Sequence, residues 1–345
     1  MRPLVSICCL TFNHEKFIAD ALDSFLSQEC DFPYEIIVHD DASTDQTAKI
    51  IRQYERENSN IIRGIYQEEN QYSQKISNMQ THIAPLVKGE FIATCEGDDY
   101  WCDTRKLKKQ VEFLEQNRDY SMCFHAVSVV DVDKKPTGEI LGIKSNFSRD
   151  ITIAEAAQGG CVHVSSRLIR REYFLQKRPL WVSHANHGDY ANALFYRAEG
   201  KVYYMNELMS CYRRGVEGSL MSEYRKHYSK EIDIAHKKNR IETLEKANEY
   251  YDYRYDSEIG KSILQTKTQI LLMQRKFNHS ARQVYRDYLK EYGFIRMGKT
   301  LMLSVFPRLA HLLAKIARRC SRVISSRNFG HLEMSETRSH ARQLQ

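Results

Sequence analysis

The sequence predicts an α/β protein with a mostly parallel sheet flanked by helices, followed by a region made of helices alone. Short apolar runs alternate with helix-period segments over the first hundred residues. Polar clusters follow several of these runs, and open parallel sheets bind their ligands at such strand ends. Beyond residue 222 the chain is rich in Lys, Arg, Glu and Tyr and has no strand signal. We therefore predict one domain over residues 1–222 and a helical region over 223–345.

The elements of the first domain follow one another with little interruption. In chain order we predict a strand over 5–10, a helix over about 15–28, a strand over 34–38, a helix ending near 56, a strand over 61–66, a helix near 76–87, a strand over 91–95, a helix over 104–116 and a strand over 122–130. This alternation implies right-handed crossovers and a site along the carboxyl edge of the sheet. A loop over 134–150 and a helix starting near Asp189 follow.

Composition limits the class and the compartment. A chain of 345 residues with 42% hydrophobic content is large enough for two domains or for one domain with an appendage. Nine cysteines without a Cys-x-x-Cys pair argue against a zinc site and a disulfide framework. The start of the chain is too short for a signal peptide, and no apolar run could span a bilayer. We expect a cytoplasmic protein, or one attached to the inner face of the membrane.

The residues after the strand 91–95 carry the strongest chemical signal. Glu96, Asp98 and Asp99 place three carboxylates within four positions at the carboxyl end of a buried strand. Carboxylates this close repel one another unless a positive group lies between them. A hard divalent cation that carries phosphate oxygens would meet this requirement. The alternative is a solvated acidic turn.

Two further polar clusters complete a recognisable pattern. Thr11-Phe12-Asn13 and Asp40-Asp41 end the first two strands, so the three clusters should share one crevice. In this order they closely resemble family 2 of the inverting glycosyltransferases, over about residues 4–220. The resemblance implies a GT-A, Rossmann-like fold and a nucleotide-sugar donor.

The resemblance also implies how the donor is held. Thr11, with Phe12 and Asn13, is expected to cradle the nucleoside, and Asp40 or Asp41 to hydrogen-bond the base. A carboxylate that accepts from a ring imino group suits uracil, which favours a UDP-linked donor. The alternative for the two aspartates is capping of the helix that follows them.

Glu96-Gly97-Asp98 stands where the family carries its Asp-x-Asp metal motif, with Glu in place of the first Asp. This departure leaves open whether Glu96 contacts the ribose or the metal. Asp98 is the predicted ligand of Mg²⁺ or Mn²⁺, with Asp99 close by. The ion would neutralise charge as the nucleoside diphosphate leaves.

An inverting transfer also needs a base that takes the proton of the acceptor hydroxyl. Gly188-Asp189 matches the family position, so Asp189 is the predicted base. Asp189 could instead only cap its helix, and on chemistry alone His184 or His187 could be the base. No role is assigned to His163, in the segment where relatives bind acceptors.

Three basic residues resemble family positions near the donor diphosphate. They are Lys75, after the third strand, and Arg213 and Arg214, in a segment that closes over the diphosphate in relatives. Arginine can pair with phosphate oxygens in a bidentate way. Each of the three could equally be an ordinary surface residue.

Residues 294–328 contain eight Lys and Arg residues and no acid, interleaved with apolar residues at helical spacing. Such a helix can lie in a membrane interface with its cations on anionic lipid. The alternative is a helix whose apolar face packs on the protein. No recognition motif supports nucleic acid as a partner.

We therefore expect inverting, metal-dependent transfer of a hexose or N-acetylhexosamine to a hydroxyl of a growing glycan. A lipid-linked acceptor in surface-polysaccharide synthesis would suit the basic segment. One alternative is a nucleotidyltransferase, but such enzymes open with a Gly-rich phosphate loop where this chain has Thr11-Phe12-Asn13-His14. The other is a non-catalytic, membrane-associated scaffold of the same fold.

Overall fold

The computed structural model describes residues 2–186 and 188–306, and the strands found there form one sheet. The strands are β1 (Val5–Thr11), β2 (Tyr34–Asp40), β3 (Ile62–Tyr66), β4 (Phe91–Glu96), β5 (Tyr100–Trp101), β6 (Tyr120–Val130), β7 (Pro136–Leu141), β8 (Arg149–Asp150), β9 (Leu168–Arg170) and β10 (Lys201–Arg213).

The helices are α1 (Ile18–Leu26), α2 (Thr47–Glu57), α3 (Lys106–Gln116), α4 (Ile153–Gln158), α5 (Arg171–Leu175), α6 (Leu180–Ser183), α7 (Gly188–Glu199), α8 (Leu220–Lys226), α9 (Lys230–Tyr250), α10 (Asp256–Met273) and α11 (His279–Val305). One π-helical turn, Met79–Ile83, and two 3₁₀ turns, Ala84–Leu86 and Val164–Ser166, complete the described structure.

The sheet is parallel on one side and mixed on the other. Its order is β3-β2-β1-β4-β9-β6-β10-β5, with β7 paired to β6 and β8 to β10. β3, β2, β1 and β4 run parallel, as predicted, whereas the short strand β9 lies antiparallel between β4 and β6. The prediction of an α/β fold with a helix-flanked sheet is confirmed. The antiparallel β9 was not predicted, because three residues are too few to show a periodic pattern.

The core explains why the first strands form where they do. β1 and β4 are buried on both faces, which suits their short apolar and β-branched side chains. Ile18, Leu22 and Phe25 of α1 lie at helical spacing and are fully buried in the same core. Trp101 is also buried, with its ring 4.7 Å from that of Phe25, so it packs beneath the site.

The predicted helix near 76–87 is shorter and less regular than expected. It consists of the π-helical turn and a 3₁₀ turn that contains Pro85. Proline lacks the amide hydrogen that an α-helix interior needs, which accounts for the early end.

The chain divides into two compact units, Met1–Ser262 and Ile263–Gln345. The predicted boundary near 222 falls inside the first unit, which retains α8 and α9. In the second unit, α11 is broken at Gly293, whose φ of 76° is outside helical geometry. Of the predicted basic segment 294–328, only residues 294–306 lie within the described part.

No helix in residues 2–186 and 188–306 combines the length and the apolar character that a membrane crossing requires. The eight cysteines in this part of the chain are all free thiols.

Candidate functional site

The three polar clusters meet at one edge of the sheet, as the sequence predicts. β1 lies between β2 and β4, and its register places Thr11 opposite Asp40. The Asp41 amide donates to the Thr11 carbonyl oxygen at 3.0 Å, and the Gly97 amide donates to the Leu10 carbonyl oxygen at 2.9 Å. Backbone hydrogen bonds therefore hold the three strand ends together.

The end of β4 presents a compact group of carboxylates. One oxygen from each of Glu96, Asp98 and Asp99 lies within 4.8 Å of the others. These three carboxylates, all within the described part of the chain, could hold a metal ion. Asp99 is fully buried, and its Oδ2 has no hydrogen-bond partner there. Opposite ligands of a bound Mg²⁺ are about 4.2 Å apart, so a small shift would let this set hold such an ion.

Charge repulsion acts on the same group. Burial, reinforced by the charges of Asp98 and Asp189, raises the pKa of Glu96 to about 8. Burial and the charges of Asp98 and Glu96 also raise the pKa of Asp99 well above its usual value. A bound cation would reverse this by favouring the ionised carboxylates.

The carboxylates at the end of β2 accept several hydrogen bonds from nearby loops. Asp41 accepts the backbone amides of Gln71 and Tyr72, at 2.8 and 3.0 Å, one on each oxygen. Asp40 accepts the hydroxyl and the amide of Ser43, at 2.5 and 3.2 Å. Both side chains are nearly fully buried. They shape the loops beside the predicted nucleoside site, and each carboxylate keeps spare acceptor capacity.

The residues after β1 form a tight turn beside those loops. Asn13 has a positive φ of 56°, and its side-chain oxygen accepts the Thr44 amide at 2.8 Å. Its own amide donates to Ser43 Oγ at 2.9 Å. Thr11 is buried, whereas 41% of Phe12 is exposed. Phe12 is thus an exposed aromatic ring in the position predicted for nucleoside binding.

The predicted base Asp189 lies in the first turn of α7, and 52% of its side chain is exposed. Arg167 donates to its Oδ1 at 3.1 Å and, through Nε, to Thr94 Oγ1 at 2.9 Å. Thr94 lies in β4 just before the acidic group, so Arg167 ties Asp189 to the strand that carries the carboxylates. Of the alternative bases, His184 is exposed and His187 lies outside the described residues.

The sequence analysis assigned no role to His163, which the structure brings into the site. Its Nδ1 lies 4.0 Å from Asp99 Oδ2. Burial lowers the pKa of His163 to about 4, although the charge of Asp189 opposes the shift. His14 also approaches the group, with Nε2 3.9 Å from Asp98 Oδ2. His163 lies in the segment where relatives bind acceptors, so the sequence pointed to its surroundings. No motif in the sequence pointed to Arg167.

Arg213 lies in a place that the sequence did not indicate. It is 1% exposed and holds the acidic turn from within: its amide donates to Asp99 Oδ1, and its guanidinium donates to the Asp98 carbonyl oxygen. The guanidinium also donates to Asp20 at 2.7 Å. These contacts give Arg213 a positioning role, and a direct contact with a diphosphate stays a prediction.

The other two predicted cations differ from each other. Arg214 makes a bidentate ion pair with Glu139, at 2.7 and 2.9 Å. Lys75 is exposed and has a positive φ of 62°, in the loop whose first amides are held by Asp41. Lys75 is therefore better placed than Arg214 to remain available to a ligand.

A sheet whose parallel half carries an acidic group at its carboxyl edge belongs to the class of α/β proteins that bind a ligand there, and this group is suited to a cation with phosphate oxygens. The model of the family "Glycosyl transferase family 2" matches residues 6–176. The chain belongs to glycosyltransferase family 2.

Two relatives illustrate the range of similarity. Uncharacterized protein Rv1520 of Mycobacterium tuberculosis is 31% identical over 231 residues, which is 64% of this chain and 61% of that protein. The chain thus spans about three fifths of the length of this relative. WfaP of Escherichia coli, a UDP-Glc:alpha-D-GlcNAc-diphosphoundecaprenol beta-1,3-glucosyltransferase, is 32% identical over 115 residues, which is 33% of this chain and 43% of WfaP.

Among solved structures, TarS of S. aureus, residues 1–349 in complex with UDP-GlcNAc, superposes with a TM-score of 0.55. The match covers 86% of this chain and 92% of that chain at 17% identity. At this identity the likeness shows the fold, which is the GT-A glycosyltransferase fold.

Proposed function

We propose that this protein is an inverting, metal-dependent glycosyltransferase that moves a sugar from a UDP-linked donor to a hydroxyl of a growing glycan. The observation that carries the proposal is the carboxylate group Glu96, Asp98 and Asp99, which lies at the carboxyl edge of the sheet with its oxygens within 4.8 Å. The proposed base Asp189 is linked to the same strand through Arg167.

Each residue has a distinct part in the proposed reaction. Asp189 accepts the proton of the acceptor hydroxyl while that oxygen attacks the anomeric carbon from the face opposite the leaving group. Arg167 holds the Asp189 carboxylate in place. Asp98 and Asp99 would hold Mg²⁺ or Mn²⁺, which would neutralise charge on the departing diphosphate. Phe12 and the loops shaped by Asp40 and Asp41 bind the nucleoside.

The relatives support the choice of substrates. The name of WfaP states a UDP-linked donor and an acceptor on diphosphoundecaprenol, and one TarS structure contains UDP-GlcNAc. We therefore propose a UDP-hexose or UDP-N-acetylhexosamine as donor and a lipid-linked glycan as acceptor. Such a reaction belongs to surface-polysaccharide synthesis.

We propose further that the basic C-terminal segment attaches the protein to the inner face of the cell membrane. In its described part, Phe294 and Ile295 are 83% and 93% exposed. Arg296 and Lys299 are the charged residues between Phe294 and Phe306. Exposed apolar side chains beside unopposed cations suit an anionic lipid surface.

The donor proposal is tested by thermal stabilisation with UDP-, GDP- and dTDP-sugars, each with and without Mn²⁺. A ligand that binds the folded state raises the melting temperature with its concentration and affinity. We expect a UDP-sugar to stabilise the wild type in a Mn²⁺-dependent way and Asp98→Ala to lose that shift. Asp119→Asn, which changes an exposed ion pair with Lys201, is the matched control and should keep it.

Turnover separates an enzyme from a scaffold of the same fold. We expect Asp189→Asn to retain the donor-dependent shift and to lose transfer activity by about 10²–10⁴-fold. Equal activity of the variant and the wild type would overturn the role of Asp189. No stabilisation of the wild type by any sugar nucleotide would overturn the donor site itself.

Membrane attachment is tested by sedimentation of the full chain with vesicles of phosphatidylglycerol and phosphatidylcholine. We expect binding to the anionic vesicles, which is weakened by Arg296→Glu with Lys299→Glu and by high salt. If neither the double substitution nor high salt weakened binding to the anionic vesicles, the electrostatic part of the proposal would be wrong.

A further inference from the structure

The hydrogen bonds of His163 fix which ring nitrogen carries its proton. Nδ1 accepts the Ser165 amide at 3.3 Å and lies 2.8 Å from the Ser165 hydroxyl. An atom that accepts an amide hydrogen carries no proton of its own, so the proton of the neutral ring is on Nε2. Within the described residues Nε2 makes no hydrogen bond. His163 therefore presents an N–H donor that the protein itself does not use.

The position of the ring is also fixed. His163 Nδ1 lies 4.0 Å from Asp99 Oδ2, and its ring packs against Tyr212 with centroids 4.9 Å apart. His163 is the first residue of a short segment that ends at Arg167. The Arg167 guanidinium donates to Asp189 Oδ1 at 3.1 Å. The 3₁₀ turn Val164–Ser166 between them is tied to β4, because Thr94 Oγ1 donates to the Val164 carbonyl oxygen at 2.6 Å.

This placement determines which part of a bound donor His163 would contact. A sugar in transit must lie between the metal carboxylates, which hold the diphosphate side, and the base, which holds the acceptor side. His163 is next to the first group, and Arg167, at the end of the same short segment, holds the base Asp189. Only 17% of its side chain is exposed, so a group that pairs with Nε2–H has to reach a largely buried ring.

We propose that His163 binds the transferred sugar directly, with Nε2–H donating to a hydroxyl or N-acetyl oxygen of that sugar. This inference rests on the proposed function, since it needs a sugar nucleotide in the site. It gives the protein a contact that distinguishes the complete donor from the bare nucleotide. The competing role is purely structural, because His163 also caps the turn Val164–Ser166 through Nδ1.

Two substitutions separate the two nitrogens. In His163→Asn the side-chain oxygen can still accept the Ser165 amide, so the turn keeps its cap while the distal N–H is lost. In His163→Gln the amide nitrogen reaches close to the Nε2 position, so a distal donor is retained. The melting temperature of each variant reports whether the fold is intact.

The measurement is the dissociation constant, by isothermal titration with Mn²⁺, of UDP and of each of UDP-glucose, UDP-GlcNAc and UDP-galactose. We expect His163→Asn to bind UDP as the wild type does and to bind the preferred UDP-sugar about 5- to 15-fold more weakly. His163→Gln should return within about threefold of the wild type. If the Asn variant does not fold, His163→Phe, which keeps the ring volume, should show the same selective loss.

The outcomes are distinct. An unchanged ratio of UDP-sugar to UDP affinity in the Asn or Phe variant would overturn the contact with the sugar while leaving the glycosyltransferase proposal intact. Equal weakening of UDP and UDP-sugar would also overturn it, because the residue would then act on the nucleotide site as a whole. Failure of the wild type to bind UDP or any of the three UDP-sugars would overturn both proposals.

Discussion

The ends of β2 and β4 both place neighbouring acids at the carboxyl edge of the same sheet, yet their carboxylates differ in how many hydrogen-bond donors reach them. At the end of β2, both oxygens of Asp41 accept backbone amides, and Asp40 accepts two hydrogen bonds from Ser43. At the end of β4, Asp99 Oδ2 is buried without a partner among the described residues, and burial together with the charges of Asp98 and Glu96 raises the pKa of Asp99.

The difference shows how the number of hydrogen-bond donors determines the role of a buried acid. A buried carboxylate that accepts a hydrogen bond on each of its oxygens stabilises the loop that supplies the donors. A group of close carboxylates with a buried oxygen that lacks a donor is unfavourable by itself and becomes favourable when a cation binds. The end of β2 therefore holds its loop through these hydrogen bonds, and its contact with a base stays a prediction, whereas the end of β4 is suited to a cation.

The largest expected effect is on catalysis at the end of β4. Asp98→Asn removes one charge from the group, so kcat should fall by about 10²–10³-fold. Because the same change relieves repulsion, the metal-free protein should unfold at the same temperature as the wild type or higher. Steady-state kinetics and metal-free thermal unfolding check the two parts. If Asp98→Asn kept near-normal turnover and lowered the melting temperature, the carboxylates of β4 would not differ in role from those of β2.

The next effect is on stability at the end of β2. Asp41→Ala leaves the amides of Gln71 and Tyr72 without their acceptor, so the free energy of unfolding should fall by about 2–4 kcal/mol. Asp41→Asn keeps one acceptor oxygen and should lose less. Urea denaturation measures both changes. A loss below about 0.5 kcal/mol for the Ala variant would show that the loop does not depend on Asp41.

The contact between the strand ends can be tested at Gly97. A Cβ placed there would lie 2.7 Å from Thr11 Oγ1 and 2.8 Å from Thr11 Cβ, so Gly97→Ala must push β1 and β4 apart. We expect a loss of about 1–3 kcal/mol in unfolding free energy. Gly260→Ala, where an added Cβ would meet no described atom outside the neighbouring helix backbone within 4 Å, is the control and should be neutral or stabilising. Equal effects of the two changes would contradict the tight approach.

The smallest effect concerns a buried cation behind the end of β4. Burial lowers the pKa of Lys106 to about 7, and its Nζ lies 4.0 Å from the Trp101 ring centroid. Between pH 7 and the usual lysine pKa the unfolded chain binds more protons than the folded one, so this contribution to stability rises with pH. From pH 7 to 9 the gain should be about 2 kcal/mol.

Lys106→Met removes the titrating group and should flatten that rise, which urea denaturation at pH 7, 8 and 9 would reveal. Lys108→Met, at a partly exposed ion pair with Asp31, is the control and should keep the wild-type slope. Parallel pH profiles for the Lys106→Met variant and the wild type would exclude Lys106 as the source of the slope.

Much of the candidate site could be predicted from local sequence. The three polar clusters follow their strands directly, and the parallel arrangement of β2, β1 and β4 brings them together. Asp189 was predicted as the base from its match to the family position, and it lies in the first turn of its helix. His163 and Arg167 could not be assigned, because their roles depend on contacts with Asp99 and Asp189, which are 64 and 22 residues away in the chain.

The sequence by itself determined the alternation of strands and helices, the acids at the strand ends and the family resemblance, since these are patterns over a few neighbouring residues. Only the tertiary structure decided which acids have hydrogen-bond donors. The amides that satisfy Asp41 come from Gln71 and Tyr72, and the amide that reaches Asp99 Oδ1 comes from Arg213. The state of a buried carboxylate depends on such distant partners, because burial makes each missing or present donor decisive for its charge.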